Sequence, residues 1–313
     1  MSKYKEIDLS KIKTYSVTKR KSKTQIGKFA KVIGPKDSIS TFLNKLPKYL
    51  KAQELNQLVE IIIRAKKKRK PIIFMLGAHV IKCGLSPIVI DLMKNGFVSL
   101  IALNGAGAIH DFEIAKWGAT SEDVDESIRK GTFGMAKQTA KTFNEASLLA
   151  QEKNLGLGQA LGLSLIKNKS PYLKYSILAG AYKLNLPITV YIGFGTDIVH
   201  QHPNFEPSAT GEATFKDFKI LANMVAKLNN GGVVLNIGSA VFLPEVFLKT
   251  LSIARNIKKR VENFYTANFD MIQHYRPNTN VVLRPTQDSG KGFSFTGHHE
   301  IMIPLLAWVL KSR

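Results

Sequence analysis

Ile72-Ile73-Phe74-Met75-Leu76 is a continuous apolar run stopped by Gly77, and it follows a segment whose apolar residues Leu55, Leu58, Ile61 and Ile62 recur at helical spacing. A run this short, bounded by a glycine, predicts a strand buried on both faces. The same change of period recurs downstream. Ser86 and Pro87 open a helix stopped by Gly96, and Val98-Ser99-Leu100-Ile101-Ala102-Leu103 is the next strand, ended by Asn104-Gly105-Ala106-Gly107. A long helical region spans roughly 110–185, with a capping sequence at Thr120-Ser121-Glu122-Asp123 and a second start at Ser170-Pro171. Further strands are expected at 188–192, 233–237, 263–268 and 281–283, with helices near 212–229 and 244–257 and a last one from about 299. Strands alternating with helices imply right-handed crossovers between parallel strands. The expected architecture is a doubly wound α/β fold, Rossmann-like, with a mostly parallel sheet and helices on both faces.

Residues 38–313 read as a single α/β domain, and residues 1–37 as a polar, basic arm pinned by Ile12, Tyr15 and Phe29. With 44% hydrophobic and 22% charged residues, global disorder is excluded. The single cysteine, Cys83, forms no internal disulfide, and no stretch of about 18 apolar residues or leader-like apolar segment occurs. A cytoplasmic protein with no membrane partner is the expectation. The net charge is +22, and residues 1–70 hold 20 basic and five acidic residues. Lys66-Lys67-Lys68-Arg69-Lys70 and the KRKSK run at 19–23 offer phosphate contacts, but no aromatic residues interleave for base stacking. Nucleic-acid binding is therefore the third reading of function.

In a doubly wound sheet, ligands lie beyond the carboxyl ends of the strands. All seven histidines fall in or near segments that follow a predicted strand: His79, His110, His200, His202, His274, His298 and His299. The same segments carry small residues, at Gly77-Ala78, Asn104 to Gly107, Gly193 to Asp197, Gly238-Ser239-Ala240 and Ser289-Gly290-Lys291-Gly292. Glycine lets backbone amides approach a phosphate, so the pattern suits a nucleotide-sized ligand over the rim. Neither a Walker sequence nor a full G-x-G-x-x-G fingerprint is present. Two competing chemistries are open. His200-x-His202 with His298, His299, Glu300 and an aspartate such as Asp111 or Asp197 could assemble the cation site of a metal-dependent hydrolase, although no standard ligand spacing occurs. Lys291, between two glycines, could form an imine with a carbonyl.

These residues resemble the deoxyhypusine synthase family, in order from about residue 70 to the C-terminus. Phe74 to Gly84, including Gly77, Ala78 and His79, is similar to the family's first NAD-contacting strand and turn. Leu103 to Asp111 resembles its Gly-rich segment ending in acidic residues, and Gly195-Thr196-Asp197 its Thr-Asp-Gly turn. Gly238, the Thr266-Ala267 pair and Ile303-Pro304-Leu305-Leu306 have similar counterparts. The chain departs from the pattern where His110 replaces an acidic residue, where Leu243 replaces a histidine, and where the lysine-bearing stretch has no clear counterpart. The resemblance implies NAD as cofactor, held by Gly77, Ala78, Asn104, Gly105, Gly107, Asp197, Gly238, Thr266, Ala267 and His298. The candidate catalytic residues are His79 and His110, which follow strands at the expected rim and can exchange protons, Asp111, which orients His110 if the loop folds back, and Lys291 as the imine lysine; no metal is expected. The resemblance also implies an NAD-dependent transferase or oxidoreductase acting on a small-molecule amine, with a protein lysine as acceptor, and a homotetramer, while the replacement of carboxylates by histidines argues for a substrate other than the usual spermidine.

Overall fold

The computed structural model describes residues 3–257 and 259–313. In chain order its elements are α1 (Ile39–Lys45), α2 (Leu50–Lys67), β1 (Ile72–Leu76), α3 (Ala78–Lys82), α4 (Ser86–Lys94), β2 (Leu100–Asn104) and α5 (Gly105–Trp117). There follow α6 (Val124–Arg129), α7 (Lys137–Glu152), α8 (Leu157–Lys167), α9 (Ile177–Lys183), β3 (Ile188–Tyr191), α10 (Pro207–Val225), β4 (Val233–Ile237) and α11 (Phe242–Asn256). β5 (Tyr265–Asp270), α12 (Tyr275–Pro277), a π-helical turn (Asn278–Leu283), β6 (Lys291–Thr296) and α13 (His299–Lys311) complete the chain.

The six strands form one parallel sheet in the order β3-β2-β1-β4-β5-β6. The chain builds outward from β1 through β2 to β3, and α10 then carries it back to β4 on the other side of β1. The strand order reverses between β1 and β4, which is the doubly wound arrangement read from the sequence. Alternate residues of each strand face opposite layers. Phe74, Leu76, Ile101, Leu103, Val190 and Leu235 lie in the larger core with residues of α2, α4, α5, α8, α9 and α13. Ile73, Met75, Leu100, Ala102 and Val234 lie in the smaller one with α10 and α11. Both faces of the sheet are thus covered, and so the strands carry uninterrupted apolar runs.

β3 is an edge strand of four residues, and α10 closes its free side. Asp217 accepts hydrogen bonds from the amides of Val190 (2.8 Å) and Gly158 (2.9 Å), and Thr214 donates to the Val190 carbonyl (2.7 Å). Full burial pushes the Asp217 carboxyl up to about 8.

The sequence placed a strand at 281–283. Those residues instead end the π-helical turn, a short apolar run between Pro277 and Pro285. The sixth strand is Lys291–Thr296, whose polar-apolar alternation leaves Phe293 and Phe295 buried. Gly292 is needed there because a Cβ would lie 2.0 Å from the Val282 carbonyl oxygen of the π-helical turn. The region 110–185 is divided among α5, α6, α7, α8 and α9, with left-handed residues such as Gly118, Gly131 and Asn154 at the breaks. Residues 3–33 are exposed throughout, and are tied down by Lys31 and Lys28 pairing with Lys45 and Lys48 and by Gln25 meeting the Tyr49 hydroxyl. Among the described residues no helix is long and apolar enough to cross a membrane.

At the reversal point the tips of β1 and β4 touch. A Cβ on Gly77 would stand 2.0 Å from the Gly238 carbonyl oxygen, and Gly238 itself has φ +69 with the His299 ring over it. Gly77→Ala is therefore expected to force the tips apart and cost about 1–3 kcal/mol, the range of small-to-large changes in packed sites. Chemical denaturation measures this loss; a change under about 0.5 kcal/mol would show that the tips have slack.

Candidate active site

A cavity of about 740 Å³ opens beyond the tips of β2 and β3, within the size range of small-molecule pockets. Its floor is one face of α5, its far wall the segment from Ala119 to Val124 and the start of α7, and its roof Thr196, Asp197 and Ile198 after β3. Lys82, at the end of α3, reaches its rim.

α5 begins directly at the end of β2, with the Asn104 side chain accepting from the Gly107 amide at 3.1 Å. Gly105 has no room for a side chain, since a Cβ there would stand 2.1 Å from Asp197 Oδ2. The Asp197 carboxylate therefore sits against the first turn of α5, where a helix favours negative charge. Burial raises its pKa to about 6 against the opposing hydrogen bonds of the Gly193 and Ala106 amides. Asp197 Oδ2 is buried and, among the described residues, has no hydrogen-bond partner.

One turn apart on α5, His110 and Glu113 share the hydroxyl of Thr120. Thr120 Oγ1 donates to Glu113 Oε2 and lies 2.7 Å from His110 Nδ1, while Thr139 donates to Glu113 Oε1 at 2.7 Å. Because the Thr120 proton is committed to the carboxylate, the hydroxyl can only accept from Nδ1–H. That places the histidine's free lone pair on Nε2. Burial holds the His110 pKa below the ordinary histidine value, with the Glu113 charge opposing and Lys82 adding to the depression. His110 is thus a neutral imidazole near pH 7, oriented by a hydroxyl and a carboxylate, suited to accept a proton at Nε2.

Three carboxylates, Glu113, Glu122 and Asp197, line the cavity together with one lysine, although the chain as a whole is strongly basic. Glu122 is braced by the Gly134 amide at 2.8 Å, and Trp117 and Phe133 add aromatic wall. The local charge and the aromatic rings suit a cationic ligand. Glu113 was legible as a helical neighbour of His110. In the sequence Glu122 reads only as part of a helix cap, and the closure of the loop over α5 has no local signal.

Of the expected site residues, His110 and Asp197 line the cavity, and Asn104, Gly105 and Gly107 form the helix start beside it. The others lie elsewhere. Asp111 is fully buried behind α5, accepting from Ser176 Oγ (2.6 Å) and the amides of Ile177 (2.7 Å) and Leu178 (3.1 Å), so it caps α9. Lys291 is the first residue of β6, at the amino-terminal edge of the sheet, opposite the strand tips. Thr266 and Ala267 are buried in the first half of β5. Gly77, Ala78, Gly238, His79 and His298 gather at the reversal point, where the His79 and His299 rings stand 5.6 Å apart.

The metal-hydrolase arrangement does not assemble. His200 and His202 lie beyond the edge strand β3, whereas His299 stands over Gly238 at the reversal point and His298 adjoins it. His200 is stacked against Phe194 and His202 bonds the Gly134 carbonyl (2.9 Å). Among the described residues no group of three or more His, Cys, Asp or Glu could hold a metal ion.

No protein-family model and no curated protein matches the sequence. The fold, by contrast, is shared with solved structures. The chain superposes on ArgZ, an arginine dihydrolase of the ornithine-ammonia cycle in Cyanobacteria, with a TM-score of 0.52 at 13% identity, covering 85% of this chain and 34% of that one. It matches the ternary complex of AgrE with ornithine and NAD+ with a TM-score of 0.54 at 13% identity over 83% of this chain and 33% of AgrE. A candidate deoxyhypusine synthase from Entamoeba histolytica gives 0.53 at 12% identity, covering 88% of this chain and 93% of that one. The chain spans about a third of the length of ArgZ and AgrE. These likenesses show the fold class: a doubly wound α/β arrangement shared with ArgZ, AgrE and the candidate deoxyhypusine synthase. Within it, this chain is similar to proteins that differ from it at more than four residues in five.

The AgrE complex holds NAD+, and part of what this chain presents is suited to such a dinucleotide. The unpartnered, buried Asp197 Oδ2 is an acceptor suited to a ribose hydroxyl, and Gly195, at φ +89 with nothing within 4 Å of its Cβ direction, leaves the adjoining loop open to a close ligand. Thr266 and Ala267 are buried within β5, away from that loop.

Two outcomes test this geometry. The imidazole nitrogens of His110, followed by NMR, are expected to report the Nδ1–H tautomer and a titration midpoint below the ordinary 6.5; Glu113→Gln, by removing the opposing charge, should lower it further. Asp111→Ala should cost about 2–4 kcal/mol of stability, since it leaves buried donors of α9 unpaired; an unchanged melting temperature would refute the capping role.

Proposed function

We propose that the chain is an NAD-dependent enzyme acting on a small amine, with the β2–β3 cavity as its active site and His110 as its base. The observation that carries this reading is the pairing of a neutral, oriented histidine with three carboxylates in one cavity of a basic protein. The AgrE complex with ornithine and NAD+ supports it as a precedent on the same fold.

In this reading Asp197, with the open loop at Gly195, holds a ribose of the dinucleotide. Bound NAD supplies the acceptor for a hydride leaving a carbon that bears nitrogen. Glu122 attracts the ammonium group of the substrate, and Trp117 and Phe133 shield it from water. Nε2 of His110 accepts the proton released as the carbon is oxidised. Thr120 and Glu113 hold the imidazole in position and stabilise the imidazolium that results. Transfer through an imine on Lys291 has no place in this scheme, because that lysine is at the far edge of the sheet.

Calorimetric titration with NAD is expected to show binding to the intact chain and at least tenfold weaker binding to Asp197→Ala. A screen of amines against uncharged hydroxy compounds should then find reduced-nicotinamide absorbance with amines alone. Glu122→Gln should raise KM about tenfold, the equivalent of about 1.4 kcal/mol, with kcat largely kept. The acidic limb of the kcat/KM profile should fall below the usual histidine range and disappear in His110→Asn. Absence of NAD binding, or equal turnover of uncharged compounds, overturns the reading.

A further inference from the structure

A second hollow of about 640 Å³ lies on the other side of the molecule, between α1, α2, β6 and the end of α13. Its charge is opposite to that of the first. Lys48, Arg64, Lys291 and Arg313 line it, against one carboxylate, Glu60. A smaller hollow of about 250 Å³ shares Arg313 and adds Lys66, Lys67 and Lys311. The cations are partly held in place. Lys291 Nζ bonds Gln57 Oε1 at 2.8 Å and sits 4.8 Å from the centre of the Phe293 ring. The Arg313 guanidinium spans Asn44 (3.3 Å) and Asn56 (3.4 Å) and pairs with Glu60. Among the described residues no hydrogen bond or ion pair engages the Arg64 guanidinium, which leaves its forked donors available.

The excess of cations is more than a single carboxylate ligand would neutralise. Guanidinium and ammonium groups around a concavity of this size match linked phosphates, which arginine meets with paired hydrogen bonds. Asn44, Gln53 and Gln57 add carboxamide donors. The one aromatic residue in the lining, Phe293, is buried, so no exposed ring offers a platform for the stacked bases of a nucleic-acid strand.

We propose that this hollow binds a small molecule carrying linked phosphates, at a site separate from the amine-binding cavity. The sheet lies between the two, since the cavity caps the carboxyl ends of β2 and β3 while Lys291 opens the amino-terminal end of β6. Lys291, expected from the sequence to be catalytic, is an anion ligand in this assignment.

The test is calorimetric titration of the full chain at moderate salt with inorganic tripolyphosphate and, separately, with adenosine triphosphate. One-to-one binding of tripolyphosphate is expected, about tenfold weaker in Arg64→Gln and in Lys291→Gln, largely kept in Arg64→Lys and unchanged in Lys219→Gln on α10. Asp197→Ala should also leave it unchanged, so loss of NAD binding in that variant is read separately. Equal affinity for both probes places recognition in the phosphates, and tighter binding of adenosine triphosphate extends the same site to a nucleoside. Unchanged far-ultraviolet dichroism in each variant excludes unfolding. The proposal is overturned if tripolyphosphate does not bind, if Lys219→Gln weakens it as much as Arg64→Gln, or if a mixed-sequence single-stranded oligonucleotide binds where tripolyphosphate does not.

Discussion

The contact between Gly77 and Gly238 decides where a ligand can lie in this molecule. In a doubly wound sheet the reversal of strand order leaves a crevice between the two central strand tips. Here backbone meets backbone at that position, and the buried His299 ring closes over it, its Nε2 facing the Phe269 carbonyl oxygen at 3.2 Å. The open volume lies one strand further out, beyond β2 and β3. Glycine is required on both sides of the contact: on Gly77 by the approach of the neighbouring carbonyl, and on Gly238 by positive φ and the ring above it.

Displacing the cavity gives α5 its double role. Its inner face carries Asp111 into the protein to cap α9, while His110, the preceding residue, faces the cavity. Successive helical residues diverge by about 100°, so two adjacent polar side chains serve different purposes. The buried carboxylate is structural and the half-buried imidazole is available for chemistry. The same separation of roles appears after β3, where Asp197 reaches the start of α5 while Asp217, from α10, is consumed by backbone amides.

Much of the fold was legible because a parallel sheet covered on both faces writes itself as short apolar runs, and Val233–Ile237 is such a run with its limits intact. β6 escaped because an edge strand alternates, and Lys291-Gly292 reads locally as a loop. Its partner across the turn, Val281-Val282-Leu283, has the apolar character of a strand but is held as a π-helical turn between two prolines. At the site, His110 and Asp197 were visible as polar residues after strands. Glu122 was not, because its place in the cavity depends on the 119–136 segment folding back over α5, a contact with no periodicity in the sequence. Thr266 and Ala267 followed family likeness, and burial in β5 removes them from the rim.

The treatment of β3 limits how copies of this chain can associate. An exposed sheet border ordinarily templates the addition of another extended peptide. On β3 the Val190 amide and carbonyl are already taken by Asp217 and Thr214 of the same chain. Growth of the sheet by joining two such borders is therefore blocked there, and self-association along that flank must rely on helix surfaces and their side chains.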